Sequence, residues 1–214
     1  MESIEFNAVV PQVFAERTVW DSELWNRQCT FSKGHSYLLL ADSGRGKSSF
    51  CAYVTGMRKD YHGNILFDGA NSSRFTMHDW VRLRRTHISY LYQELRLFPE
   101  LTAWENVEIK NRLTGWKSPE VVTEWFERLG IADKRHEPVS HLSFGQQQRV
   151  AMMRALVQPF DFLLADEPIS HLDDEHGEQR AHLMIEEATR QGAGFIVTSI
   201  GRHWPLHYDK VIKI

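Results

Sequence analysis

The sequence predicts an α/β fold built on a mostly parallel sheet. Two observations carry the prediction. Short apolar runs of strand length recur along the chain, and helical patterns follow several of them. Alternation of this kind places helices against the faces of a sheet whose strands run the same way.

Residues 37–41, 88–92, 162–165 and 195–198 read as buried strands. They are mostly apolar without an apolar-polar alternation, as strands covered on both faces require. Residues 47–56, 145–157 and 174–191 carry helical patterns, and residues 65–68 and 211–214 read as shorter, peripheral strands. Between residues 94 and 140 the composition changes. Residues 104–113 and 119–129 look helical there, with Ser118 placed as a cap, Pro119 as a first helical residue and Gly130 as a terminator. No strand pattern intervenes, so a helical insertion into the α/β core is expected.

Composition excludes several classes. The 214 residues suit one sizeable domain, and a net charge of -3 with scattered basic residues argues against nucleic acid as a partner. The cluster Arg82 to Arg85 is short and reads as a solvated helix face. Cys29 and Cys51 have no metal or redox spacing and suggest a reducing compartment. No run approaches the roughly 20 apolar residues that span a bilayer. The N-terminal residues lack a basic-apolar signal segment. No repeat or low-complexity tract is found. A membrane role would come through a partner.

Ala41-Asp42-Ser43-Gly44-Arg45-Gly46-Lys47-Ser48 lies between a strand and a helix, the context in which a phosphate loop works. Gly44 and Gly46 let successive N–H groups of Ser43, Gly44, Arg45, Lys47, Ser48 and Ser49 converge on one centre, and the helix adds its positive end. Lys47 is placed to reach the β- and γ-phosphates of ATP, and the Ser48 hydroxyl to bind Mg²⁺. The pattern normally opens on glycine, whereas here it opens on Ala41. Alanine resists positive φ and is expected to loosen the start of the loop. Further on, residues 162–167 form an apolar run ending in Asp166-Glu167. The first acid would hold Mg²⁺ and the second would polarise the attacking water.

Leu142-Ser143-Phe144-Gly145-Gln146-Gln147-Gln148-Arg149 resembles the signature of the ATP-binding-cassette family, and the resemblance covers nearly the whole chain with its motifs in the family's order. It implies a P-loop NTPase with a RecA-like, mostly parallel core of residues 1–93 and 158–214, peripheral antiparallel strands, and a helical subdomain of residues 94–157, together one nucleotide-binding domain. Ser143 and Gly145 would face the γ-phosphate of ATP held by a second copy, so a homodimer around two ATP is implied. Gln93 resembles the family's Q-loop glutamine, touching Mg²⁺ and water and facing a transmembrane partner. Ile169-Ser170-His171-Leu172-Asp173 resembles the D-loop, with Asp173 as its acid. Phe14, or alternatively Trp20, would stack on adenine.

Two further departures are visible. Phe144 stands where glycine is usual. Ile200, or alternatively Ser199, takes the place of the switch histidine, while His203 reads as a surface residue. Residues 93–107, with Ala165-Asp166-Glu167-Pro168, resemble the subfamily serving lipoprotein release, macrolide export and cell-division permeases. The expected protein is thus an ATP-hydrolysing subunit driving a separate integral membrane permease, cytoplasmic and peripheral on the inner face of the membrane. The chain ends just after its last strand, so no appended regulatory domain is expected. A regulatory ATP-binding module of low turnover, or a cassette ATPase acting in DNA repair or on ribosomes, are the alternatives.

Overall fold

The computed structural model describes residues 1–16, 21–168, 174–201, 203–204 and 206–214, and only the backbone of residues 174–180. Strands β1 (Ser3–Pro11), β2 (Gln28–Ser32), β3 (Ser36–Leu40), β4 (Tyr61–Phe67), β5 (Ala70–Asn71), β6 (Ile88–Leu91), β7 (Phe162–Asp166), β8 (Gly194–Ser199) and β9 (Lys210–Lys213) form two sheets. Helices α1 (Lys47–Val54), α2 (Met77–Thr86), α3 (Ala103–Asn111), α4 (Pro119–Arg128), α5 (Phe144–Leu156) and α6 (Asp174–Arg190) pack around them.

The larger sheet has the order β6-β7-β8-β3-β9, and every neighbouring pair is parallel. Its strands match the expected apolar runs to within a residue or so at each end. Their alternate residues enter two different cores. In β7, Leu163 and Ala165 join the helical side, while Phe162 and Leu164 face the other sheet. In β8, Phe195 and Val197 divide from Ile196 in the same way. Burial on both faces explains the unbroken apolar runs. The segment at residues 211–214 is an edge strand of this sheet, pairing in parallel with β3.

The smaller sheet is antiparallel, in the order β2-β1-β4-β5. It packs through Ile4, Phe6, Phe31, Ile65 and Phe67 onto α1 and the parallel sheet. A cluster of rings sits there: Phe6 lies 5.2 Å from Phe50 of α1, and Phe31 lies 5.2 Å from Phe50 and 5.0 Å from Tyr37. Strand β1 carries an irregularity between Asn7 and Val10, with Ala8 at φ 50.

Residues 94–157 hold α3, α4 and α5 with short 3-10 turns, and among the described residues only the single bridge Thr102–Pro138 is sheet-like. Thr102 and Glu105 form a capping box at the start of α3. Ser118 occupies the cap position of α4, yet its side chain makes no cap hydrogen bond. Gly130 ends α4 at φ 64. Its N–H donates to the Glu127 carbonyl at 2.9 Å and that of Ile131 to the Phe126 carbonyl at 3.0 Å. That pair of bonds is a Schellman closure. No helix among the described residues is long and apolar enough to cross a membrane.

Candidate functional site

The C-terminal edge of the parallel sheet gathers the candidate residues, as expected for ligand sites of open α/β folds. The phosphate loop connects β3 to α1. Gly44 has φ 78 and Gly46 φ 102, so both hold the left-handed backbone that favours glycine. A Cβ on Gly46 would lie 3.0 Å from the Trp25 ring and 3.1 Å from the Phe14 ring, so no side chain fits there without movement. Ala41 is absent from the positive-φ residues, and its N–H donates to the Ser199 carbonyl at 3.1 Å. The expected looseness at the start of the loop is therefore not required: alanine adopts this backbone freely. Ser43, Gly44, Arg45 and Ser48 are exposed, whereas Lys47 and Ser49 are buried. Ser49 Oγ accepts from the Arg58 guanidinium at 3.1 Å rather than facing the loop's mouth.

Lys47 Nζ donates to the carbonyls of Ala41 at 2.9 Å and Asp42 at 3.1 Å, and stands 3.4 Å from Glu167 Oε1. Strand β7 delivers Asp166 and Glu167 side by side. Asp166 is 4% exposed and receives two hydroxyls: Tyr90 Oη donates to Oδ2 at 3.0 Å and Thr198 Oγ1 donates to Oδ1. Burial pushes the Tyr90 phenol far above its ordinary range, with the neighbouring Cys51 and Asp166 adding to the effect. It therefore remains a donor. Glu167 has φ 46, a left-handed conformation that costs a non-glycine residue about 1–3 kcal/mol and is typical of functional turns. Its N–H is held by Thr198 O at 3.1 Å. Gln93, just past the end of β6, donates from Nε2 to Glu167 Oε2 at 3.1 Å. The structure thus brings Lys47, Gln93, Asp166 and Glu167 together.

These residues fit a nucleotide with a magnesium ion. Available donors are all oxygens: the exposed Ser48 hydroxyl, the Asp166 carboxylate and the Gln93 amide carbonyl. That set suits a hard divalent cation. Among the described residues no cluster of three His, Cys, Asp or Glu side chains could hold a metal by itself. The ion would accordingly come with the phosphates, as Mg²⁺ usually does.

Other predicted residues lie elsewhere. Ser143 caps α5: its N–H donates to Gln146 Oε1 at 2.8 Å and its Oγ accepts from Gln146 N–H at 3.4 Å. The signature is thus locally a capping box, which fixes where α5 begins. Phe144, 42% exposed, is its first residue. A Cβ on Gly145 would meet only Arg149, at 3.9 Å, so the helix end is open. Phe14 is buried with its ring edge on the loop. Ile200 is 60% exposed and Ser199 is buried, its Oγ accepting from Gly201 N–H at 3.0 Å. His203 is engaged with the Trp204 carbonyl at 3.0 Å and lies edge-on to Tyr208. Trp20 and the D-loop with Asp173 lie outside the described residues.

Three site residues carry no sequence signal of their own. Trp25 lies under the phosphate loop and donates from Nε1 to the Arg45 carbonyl at 3.0 Å. Tyr90 and Thr198 hold Asp166 from neighbouring strands. Their positions at the ends of β6 and β8, flanking β7, are the only hint of that role.

A phosphate loop on a parallel sheet, with a carboxylate pair on the next strand but one, defines a P-loop nucleotide-binding protein. The particular kind follows from comparison with known proteins. The model of the ABC transporter family matches residues 24–170. The lipoprotein-releasing system ATP-binding protein of Coxiella burnetii is 31% identical over 185 residues, covering 85% of this chain and 79% of that one. The macrolide export ATP-binding/permease protein of a Shewanella species is 31% identical over 191 residues. That alignment covers 86% of this chain but 28% of the relative, so the chain spans under a third of the macrolide proteins it matches. The dimeric structure of a bacterial ABC transporter cassette superposes with a TM-score of 0.77 at 26% identity, over 92% of this chain and 88% of that one. The chain belongs to the ABC transporter family and is one of its ATP-binding cassettes.

Proposed function

We propose that this chain is the ATP-hydrolysing subunit of a transporter, closing as a homodimer around two ATP and driving a separate membrane permease. The observation that carries the reading is the Gln93–Glu167–Lys47 chain of contacts beside Asp166. It joins a phosphate ligand, a carboxylate able to take a proton and an amide able to orient water.

In this reading Lys47 leaves the Ala41 and Asp42 carbonyls to hold the phosphates, which frees Glu167. Gln93 keeps the freed carboxylate aimed. Glu167 then accepts a proton from the attacking water, and the N–H groups of Gly44 to Ser49 with the α1 end stabilise charge on the phosphates. Ser48, Gln93 and Asp166 would hold Mg²⁺, which when bound would neutralise phosphate charge. Ser143 and Gly145 present an open helix N-terminus, which suits the γ-phosphate of a second copy's ATP. Support comes from a related cassette of 26% identity, whose structure is described as a dimeric post-hydrolysis state bound to ADP and Pi. The Coxiella relative is named as the ATP-binding protein of a lipoprotein-releasing system, which supports a role beside a membrane partner. The place of the chain is then the inner face of the membrane, held there by that permease.

The test is Glu167→Gln with saturating Mg-ATP in analytical ultracentrifugation. A stable dimer and loss of turnover are expected. A monomer under those conditions would sink the dimer mechanism.

One observation favours a second reading, a regulatory module of low turnover. Exposed Ile200 stands where a donor to the γ-phosphate is expected, and an isoleucine side chain donates nothing. Steady-state hydrolysis by the permease-bound chain, abolished by Glu167→Gln, would remove this reading.

A further inference from the structure

Trp25 is 1% exposed and stands under the phosphate loop. Its Nε1–H donates to the Arg45 carbonyl at 3.0 Å. The same edge of the ring, Nε1 and Cζ2, lies 3.0 Å from the point where a Gly46 side chain would begin. The ring therefore grips one peptide group, the one that joins Arg45 to Gly46.

No peptide bond among the described residues is cis. In a trans peptide the carbonyl and the N–H point in opposite directions. An Arg45 carbonyl held down onto Trp25 thus turns the Gly46 N–H up, away from the ring and toward the mouth of the loop. Among the described residues that N–H has no backbone partner. Gly46 is also where this peptide turns over most easily, because both signs of φ are open to a residue without a Cβ. Turning it over would aim a carbonyl at the phosphates and withdraw a donor from the anion nest. The indole bond opposes that turn, since breaking it leaves a buried N–H unpaired.

The fold fixes Trp25 in its place. Ser22 Oγ accepts from the N–H groups of Leu24 at 3.1 Å and Trp25 at 2.9 Å. The Phe6 and Tyr53 rings flank the indole at 6.2 and 6.3 Å. Asn26, at φ 56, donates its N–H to the Val9 carbonyl at 2.8 Å, and Ala8, at φ 50, donates to the Arg27 carbonyl at 2.9 Å. The irregularity of β1 and the left-handed residue after Trp25 thus face each other. Irregularities of this kind re-aim a side chain beside a site, and two disfavoured backbone conformations persist where the surroundings enforce them.

We propose that Trp25 is a positioning residue for nucleotide: its indole N–H locks the Arg45–Gly46 peptide so that the Gly46 N–H faces the phosphate site before nucleotide arrives. The proposal rests on the reading of this loop as the ATP site. Trp25 touches no phosphate itself. Without the indole donor the loop divides between two orientations of the peptide, and only one of them binds. A site that is competent for a fraction of the time loses affinity by that fraction. The loss falls on association, because the complex still dissociates from the competent orientation.

The test is stopped-flow binding of N-methylanthraniloyl-ADP with Mg²⁺ to the full chain. Two changes remove the donor. One is Trp25→Phe. The other is benzothienylalanine at position 25, which puts sulfur in place of the N–H and keeps the bicyclic ring. Both are expected to bind about tenfold more weakly, the size of effect one hydrogen bond supplies, with association slowed to match and dissociation within about twofold of the parent. Disturbed packing of the site would instead speed dissociation. If Trp25→Phe fails to fold, the benzothienylalanine chain decides, since its shape is that of the parent. Parent-like association by the benzothienylalanine chain, or a loss carried by dissociation alone, overturns the proposal and leaves the ATP site intact. Failure of the parent chain to bind the labelled ADP removes the reading of the loop, and this proposal with it.

Discussion

Lys47 Nζ stands 3.4 Å from Glu167 Oε1, so the proposed phosphate ligand and the proposed base hold each other. Both are largely buried, at 6% and 12% side-chain exposure, where an ion pair is little screened. Nucleotide must therefore compete with Glu167 for Lys47. Glu167→Gln is expected to tighten ADP binding about two- to fivefold, the equivalent of an ion pair worth about 0.5–1 kcal/mol. ADP is the right probe because it has no γ-phosphate for Glu167 to repel. Fluorescent-nucleotide displacement reads the change, and unchanged or weaker ADP affinity would show that the pair does not restrain Lys47.

The loop geometry separates three small substitutions. Ala41 has ordinary backbone, so Ala41→Gly should leave nucleotide affinity unchanged and cost about 0.5–1 kcal/mol of stability through chain entropy. Gly44→Ala meets no neighbour but strains a φ of 78, which should cost about 1 kcal/mol. Gly46→Ala adds contacts at 3.0 and 3.1 Å with Trp25 and Phe14 to a φ of 102, and should abolish nucleotide binding. Isothermal titration of the three variants checks the order. A gain in affinity from Ala41→Gly would contradict the structure.

Tyr90→Phe removes one of two hydroxyls from the buried Asp166 carboxylate. A hydrogen bond to a charged group is worth about 1.5–3 kcal/mol, so a loss of stability of that size is expected in urea unfolding. Because burial keeps the Tyr90 phenol protonated, the parent should show no loss of this contribution as pH rises to 10. Equal stability of parent and variant would mean that the hydroxyl is not bonded to Asp166 in solution.

Ser143 has two separable jobs. As the cap of α5 it should contribute about 1 kcal/mol, so Ser143→Ala should lower Tm by about 2–4 °C. Gln146→Ala, which breaks the same capping box from the other side, should cost a similar amount. If Ser143 also meets the second copy's ATP, only Ser143→Ala should weaken the ATP-driven dimer of the Glu167→Gln background. Equal dimerisation of both variants would leave Ser143 as a cap alone.

The parallel strands were legible because burial on both faces leaves unbroken apolar runs in β7 and β8, with polar residues only at their C-terminal ends. The phosphate loop was legible because its glycines, lysine and serine are adjacent in sequence. What was hidden is what depends on partners far along the chain. Strand β1 has no clean alternation, since the irregularity at Ala8 shifts its register. Helix α2 showed only its basic cluster, although Thr76 and Asp79 form a capping box before it. Trp25 enters the site by a bond to Arg45, 20 residues away, and Thr198 by a bond to Asp166, 32 residues away. No local pattern announces a contact of that kind. The ring of Phe14 shows a different limit. Sequence places it near the nucleotide, but its burial against Gly46 emerges only from packing.

Ile200 offers the most direct probe of turnover. It follows Ser199, the last residue of β8, is 60% exposed, and has no group that can donate to a phosphate. The turn after it is already set, because Ser199 Oγ accepts from the Gly201 N–H at 3.0 Å, so a side chain placed at 200 starts from a fixed backbone. A histidine there would add one charged or polar donor toward developing phosphate charge. Removing a fully preorganised donor from such sites costs about 10²–10³ in rate. An exposed, newly added one should recover less, and about tenfold, or about 1.4 kcal/mol of barrier, is expected for Ile200→His. Nucleotide affinity should change little, since the donor acts on charge that grows during the reaction. Single-turnover hydrolysis separates this from product release. A rise in the single-turnover rate supports a missing donor as the limit on this cassette. An unchanged rate would mean that another group already serves the γ-phosphate.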